Sequence, residues 1–309
     1  MNLNLLKLQM IELLEKHQKI TAVADELGLK QPTITFHMKN LEQELGVQLF
    51  ESRSGKTLLT DAGRSLHHYA VKINALALEA ERVVREFDEL GRGVLRVGAS
   101  YVPGTYMLPR VMTEFSRVYP RISLQLEVKT APVIKQLLLD HEIDIGVLST
   151  EPFQLASLVS EALCEDELVV IFSPQHRFAS LPELEPSHLA ETPFLLHGLA
   201  SSTRQMTDRW AQSHGVHLYA QMELDSLEAI KQVVMLGDCV SFVSRQAVRK
   251  EAERGELQYR PIPANTFRRD ICCAFNADRK HSAVLDQFIV HLRKEASSLH
   301  EGIRTGEAG

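Results

Sequence analysis

Residues 20–49, ITAVADELGLKQPTITFHMKNLEQELGVQL, hold two short apolar-periodic segments that break at Gly28 and resume behind Gln31-Pro32-Thr33. A break this short leaves room for a turn and little more. That is the layout of a helix-turn-helix, which places its second helix in the major groove of duplex DNA. Upstream, Leu6, Met10, Leu13 and Leu14 share one stripe of a first helix over residues 5–16. Thr21 is expected to cap the second helix, which carries Val23, Ala24 and Leu27, and Gly28 supplies the turn's positive φ. Pro32 suits the first turn of the third helix, with Ile34, Met38, Leu41 and Leu45 as its expected buried stripe. Gln31, Pro32, Thr33, Thr35, Phe36, His37 and Asn40 then stand near the helix start as candidate contacts for base edges and phosphates. Ser54-Gly55 between two short extended runs marks a β-hairpin, with Arg53 and Lys56 at its tip as further candidate DNA contacts. A helix-turn-helix followed by such a hairpin is a winged helix.

Charge alone does not announce this function. The chain carries a net charge of −6, and residues 1–60 hold seven Lys/Arg against seven Asp/Glu. Placement carries the argument: Lys30, Lys39, Arg53, Lys56 and Arg64 surround the third helix and the loop after it, whereas Glu12, Glu15 and Glu26 sit on the earlier helices. No apolar run is long enough to cross a bilayer. The opening MNLNLLKLQMIELLEKHQ scatters charges among its apolar positions and does not read as a secretion signal. Cys164, Cys239, Cys272 and Cys273 lack metal-ligand spacing and suit a reducing compartment, so a cytoplasmic protein with no metal and no cofactor is expected. The GxSxG, P-loop, HExxH and GxGxxG motifs are all missing, so no enzyme is expected.

At 309 residues the chain needs two or three compact units. Asp61 is expected to cap a long helix running to about Leu90. Along it Leu66, Ile73, Ala80 and Phe87 occupy one heptad position, and Tyr69, Leu76, Val83 and Leu90 the other, the seam of a coiled coil. A helix of this length spans roughly 45 Å, more than the head alone covers, so a second copy of the chain is the expected partner. A dimer would read a two-fold symmetric DNA site.

Beyond Gly91-Arg92-Gly93, strand-like and helix-like runs alternate: VLRVGA, a helix over 105–119, ISLQLEV, a helix over 131–141, and IDIGVL. The pattern repeats with DELVVIFS, PFLLH, a helix over 201–215, HLYAQMEL, a helix over 226–237, CVSFVS, QYRPI, RRDICCAF and a closing helix over 281–297. Such alternation implies parallel sheets in two lobes, with a ligand held in the cleft beyond the strand ends. The residues expected to contact a small polar or anionic effector stand at those ends: Ser100, Tyr101, Thr130, Ser149, His197, Ser201, Ser202, Thr203 and Ser244. The fold class is α+β multidomain. The winged helix-turn-helix takes residues 1–60, the linker helix 61–92 and a two-lobed effector domain 93–300, with a disordered tail over 301–309. Lobe I is expected over 93–160 and 268–297, and lobe II over 165–262.

These residues resemble the LysR-type transcriptional regulators. The reading helix opens with a glutamine-proline pair, and the phrase that closes it is Leu41-Glu42, Glu44-Leu45-Gly46, Leu49-Phe50 and Arg53. Thr60, Ala62 and Gly63 match the signal that begins the family's linker. VGAS, MLPRVM and EIDIGVL extend the likeness into the C-terminal part. The resemblance implies base or phosphate contacts from Gln31, Thr33, Thr35 and His37, a wing contact from Arg53, and a sensor shaped like a periplasmic binding protein. It also implies a tetramer built of dimers, a bound metabolite that alters the spacing or bend of the DNA sites, and RNA polymerase as a further partner. Ala200-Ser201-Ser202-Thr203-Arg204 stands where relatives carry a Gly-Ser-Gly-Thr-Arg type of anion loop. Two other readings compete: a regulator that senses oxidants through its thiols, and a small-molecule-binding protein that does not touch DNA.

Overall fold

The structure is a computed structural model and describes residues 3–88, 93–279 and 282–305. The chain divides into an N-terminal unit that closes with the long helix and a larger C-terminal unit.

In the first unit α1 (Leu5–His17), α2 (Ile20–Leu27) and α3 (Gln31–Leu45) precede a hairpin, β1 (Phe50–Arg53) and β2 (Lys56–Leu59), and then α4 (Asp61–Asp88). Leu8, Ile11, Leu14, Val23, Ala24, Ile34, Leu41, Leu49 and Leu59 form one core. Burying this set is what fixes the angles between helices too short to be stable alone. Leu45 does not join it: at 44% exposure it lies beyond the last turn that the other helices cover. Gly28 and Gly46 end their helices at φ 66° and 68°, where a side chain would be strained. The hairpin turn places Ser54 and Gly55 at φ 51° and 76°, the two positive values of a tight type I′ turn.

Two expected caps move. α2 starts one residue before Thr21, behind Lys19, with no side-chain cap. The cap of α4 is Thr60, whose hydroxyl accepts the Gly63 N–H at 3.1 Å while donating to Gln48 C=O at 2.8 Å. Asp61 sits inside the first turn and pairs with Arg64. Glu42 explains part of the helix-closing phrase, since its carboxylate accepts the N–H groups of Leu49 and Phe50 at 2.8 and 3.0 Å. α4 packs one side on α1, where Ala70 is buried and Asn74 donates to Glu12 at 2.8 Å. On its heptad seam Leu66 is half-buried, while Tyr69, Ile73, Leu76 and Ala80 are exposed. Leu90 and the side chains of Val83 and Phe87 lie outside the described residues.

The C-terminal unit has two lobes. In lobe I, β3 (Gly93–Ala99), β4 (Ile122–Val128), β5 (Ile145–Thr150), β6 (Leu158–Glu165) and β12 (Asp270–Asn276) form one sheet in the order β4-β3-β5-β12-β6. It is flanked by α5 (Tyr101–Tyr106), α6 (Leu108–Val118), α7 (Ala131–Leu139) and α12 (Ala283–Thr305). Phe115, Phe288, Leu292, Val97 and Ile145 centre its core. In lobe II, β7 (Leu168–Phe172) lies between β10 (Ser241–Ser244) and β11 (Gln258–Pro261). β8 (Pro193–His197) pairs with β9 (Tyr219–Leu224) and touches the first sheet through Phe194 and Val240. α8 (Pro186–Ala190), α9 (Ser202–Ser213), α10 (Leu227–Leu236) and α11 (Arg245–Glu253) cover it around Trp210, Phe172, Phe194 and Phe242.

The sheets are mixed, against the parallel expectation. β3 runs parallel to β4 and β5, but β12 is antiparallel to β5 and β6, and β7 is antiparallel to β10 and β11. The chain passes between the lobes without an intervening helix, and a return of that kind enters antiparallel. β6 is absent from the sequence reading because, as an edge strand carrying a half-buried Glu161 and an exposed Glu165 among apolar residues, it lacks clean alternation. α5 and α11 also escaped, and the closing helix runs on to Thr305, so residues 301–305 belong to it and not to a disordered tail.

Candidate functional site

The first candidate surface is the start of α3. Gln31, Pro32 and Phe36 are exposed, Phe36 at 59%, and Thr33, Thr35, His37 and Asn40 are half-buried beside them. Gly28 and Pro32 put them there: one turns the chain out of α2, the other starts α3 in place. His37 rests edge-on against Phe36, ring centroids 5.9 Å apart. Thr35 spends its hydroxyl proton on Gln31 C=O at 3.2 Å, which leaves it an acceptor rather than a phosphate donor. Arg53 and Lys56 face each other across the hairpin, both exposed, and Lys56 is tied to the Gln18 side chain at 2.9 Å.

The second candidate site is a cleft of about 250 Å³ in the C-terminal unit. Ser100, Tyr101, Thr130, Ser149, His197, Ser201, Ser202 and Thr203 all line it. Eight residues spread over a hundred positions meet because each ends a strand or opens a helix. α9 makes its first internal bond from Gln205 N–H to Ser201 C=O (3.2 Å), so the N–H groups of Ser202, Thr203 and Arg204 are free of it. α7 opens with Ile134 N–H on Thr130 C=O (3.1 Å), leaving the Ala131 and Val133 N–H groups. Two helix N-termini therefore face one cavity, where their unpaired N–H groups and dipoles favour negative charge.

Beneath the cleft lies a buried ion pair that sequence reasoning missed. Arg269 Nη2 stands 2.8 Å from Asp166 Oδ2, with side chains 2% and 0% exposed. The two residues also mark where the chain crosses between lobes, joined by Asp166 N–H to Arg269 C=O at 2.9 Å. Arg269 Nη1 donates to Thr203 Oγ1 at 2.9 Å, which leaves the Thr203 proton to point elsewhere. Likewise Ser100 Oγ accepts the Ser149 N–H at 2.8 Å and keeps its own proton. Ser149 and Ser244 both donate to Asp166. Burial pulls the Arg269 guanidinium below its usual range, with Asp166 opposing. Arg269 Nε is buried with no hydrogen-bond acceptor.

Ser244 is the exception among the expected effector residues. It does not line the cleft; its hydroxyl is 2.5 Å from Asp166 Oδ1, one layer below, and is 1% exposed as a residue. Asp166, Asp225, Gly198 and Arg269 complete the site and its floor. The only signal for Arg269 was an arginine pair opening an apolar strand. Arg204, from the anion-loop run, faces its neighbours and not the cleft, holding His197 C=O at 3.0 Å, Glu223 at 2.8 Å and Asp208 at 2.9 Å. Asp144 is structural: it accepts the Arg96 N–H at 2.6 Å and pairs with Arg279.

All four cysteines are free thiols. Burial pushes Cys164 and Cys273 up to about 12 and Cys272 up to about 11, and also raises Cys239. Nucleophilic thiolate is scarce at such values. Ellman's reagent is expected to modify the native chain slowly and the unfolded chain at once; a thiol that reacts within seconds in the native protein would favour the oxidant-sensing reading.

Among the described residues no cluster of three or more His, Cys, Asp or Glu could hold a metal ion, and no helix is long and apolar enough to cross a membrane.

Comparison with known proteins places both units. Residues 5–64 match the model of the bacterial regulatory helix-turn-helix protein, lysR family, and residues 88–297 match the LysR substrate binding domain. A probable RuBisCO transcriptional regulator from Gracilaria tenuistipitata var. liui is 32% identical over 287 residues, covering 91% of this chain and 93% of that one. Among solved structures, a full-length OxyR variant from Pseudomonas aeruginosa is similar with a TM-score of 0.70 at 26% identity, covering 96% of this chain and 95% of that one. The CcmR regulatory domain of Synechocystis PCC6803, solved in complex with 2-PG, gives a TM-score of 0.61 at 27% identity, over 66% of this chain and 97% of that domain. The chain belongs to the LysR family: it is a DNA-binding transcription regulator with a winged helix-turn-helix head and a two-lobed effector-binding domain.

Proposed function

We propose that the start of α3 and the wing read duplex DNA, that two copies pair along α4, and that a small anion in the cleft biases the assembly between two states of promoter control. The regulator works in the cytoplasm, as a dimer or a tetramer built of two dimers, with RNA polymerase as its downstream partner, and has no catalytic role. One observation carries the effector half of this reading: the starts of α7 and α9, with the Thr203 and Ser100 hydroxyls left as donors, meet at one cavity. The binding of 2-PG by the CcmR domain supports an anionic ligand here. The exposed apolar seam of Tyr69, Ile73 and Leu76 on α4 supports pairing. The raised thiols favour ligand sensing over oxidant sensing.

The test separates the two halves. Thr33→Ala and His37→Ala are expected to lower affinity for the chain's own promoter about tenfold, roughly one good base contact, while the change in melting temperature caused by an anion stays as in the parent. Thr203→Val and Ser100→Ala are expected to blunt that change and spare promoter affinity in anisotropy titrations. Unaltered promoter affinity in both head variants would remove α3 from the interface; an intact ligand response in both cleft variants would do the same for the cleft.

A further inference from the structure

The cleft offers an acceptor wall as well as donors. His197 ends β8, lines the cleft and is 8% exposed. Its Nε2 lies 2.9 Å from the Phe242 carbonyl oxygen. A carbonyl can only accept, so Nε2 carries the ring proton and Nδ1 is left with its lone pair. Burial keeps the ring neutral, pushing its pKa down to about 4, and the nearby Arg269 and Arg204 charges act in the same direction.

The neighbouring strand adds a second acceptor. His197 pairs with Leu224 in the parallel register of β8 and β9, so Gly198 and Asp225 emerge side by side. A Cβ on Gly198 would lie 1.8 Å from Asp225 Oδ1; glycine alone lets that carboxylate lie against the main chain. Asp225 lines the cleft and is exposed, and among the described residues no cation pairs with it.

A fully ionised anion such as sulfate would satisfy the helix starts and leave this wall without a donor. We infer that the effector is a small organic anion that also carries a hydroxyl group, with its acidic end at the starts of α7 and α9 and its hydroxyl donating to His197 Nδ1. This rests on the reading of the cleft as an anion site. A hydroxyl fits better than an ammonium at His197, because the ring is buried and neutral and an ammonium would have to shed its water for one uncharged acceptor.

Three phosphate monoesters of equal heavy-atom count test it on the full chain by calorimetry: propyl phosphate, 2-hydroxyethyl phosphate and phosphoethanolamine. The hydroxyethyl ester is expected to bind about tenfold tighter than the propyl ester, as for one added hydrogen bond, and the preference is expected to vanish in His197→Leu. Asp225→Ala, at an exposed position, is expected to reduce the preference without abolishing it. Should His197→Leu fail to fold, the ¹⁵N resonance of Nδ1 in the parent protein supplies the answer, moving with the hydroxyethyl ester and not with the propyl ester. Equal affinity for those two esters, or an unmoved Nδ1 resonance, overturns the inference and leaves the anion cleft standing. Tightest binding by phosphoethanolamine overturns the hydroxyl in favour of an ammonium. Failure of all three to bind at millimolar concentration removes the anion cleft, and the inference with it.

Discussion

Asp166→Ala is expected to lower the unfolding free energy of the C-terminal unit by about 3–5 kcal/mol, the range for stripping one partner from a buried ion pair. Arg269 would keep a full charge with its side chain 2% exposed and no counter-ion. The Ser149 and Ser244 hydroxyls would lose their acceptor at the same stroke. Urea unfolding followed by the single tryptophan, Trp210, which is buried in lobe II, gives the measurement. The double replacement Asp166→Leu with Arg269→Met is expected to cost far less, because it removes both charges and fills the space with apolar atoms. A single-variant loss below about 1 kcal/mol would mean that water reaches the pair and screens it. Since Asp166 and Arg269 stand where the chain crosses between lobes, the same substitution is expected to weaken anion binding even under conditions where the protein stays folded.

Gly63→Ala is expected to destabilise the head by about 1–3 kcal/mol, and toward the upper end because the obstacle is main chain. An added Cβ would stand 2.2 Å from the Leu49 carbonyl oxygen and 3.1 Å from the Leu59 Cβ. Neither neighbour can swing aside: Leu49 C=O already accepts the Thr60 N–H at 3.0 Å. The start of α4 would have to move off the hairpin, carrying the wing with it. Far-UV circular dichroism melting and promoter affinity should fall together; an unchanged melt would show that the junction between wing and helix yields at little cost. The same contacts explain the Thr60, Ala62, Gly63 signal in physical terms. Thr60 caps the helix, and Gly63 allows the close approach of the preceding strand.

Much of the head is legible in the sequence. Its helices are set by apolar spacing over a few turns, Gly28 and Gly46 occupy positive φ, and Ser54-Gly55 makes a tight turn; each is a local property of a short peptide. Where the local pattern misleads, the cause is a neighbour. Leu45 follows the helical period but extends past the surface that could bury it, and Thr60 outcompetes Asp61 as cap because the hairpin holds it in place. In the C-terminal unit most strands and helices were found, and so were eight cleft residues, since hydroxyls and small residues at strand ends open helices wherever such sheets occur. β6, the antiparallel course of β12, the diversion of Ser244 to Asp166 and the fixed tautomer of His197 were not.

Periodicity, turn residues and caps act across a few positions, so residues 5–59 specified their own elements, and the alternation after residue 93 specified two α/β lobes. Partner choice depends on groups far apart in the chain. Asp166 and Arg269 are ordinary surface-type residues until two sheets close over them, and His197 is one of thirteen histidines until the Phe242 carbonyl settles which ring nitrogen holds the proton. Desolvation causes this division: it turns a weak preference between charges or ring nitrogens into a strong one, and only the folded packing determines which groups lose their water.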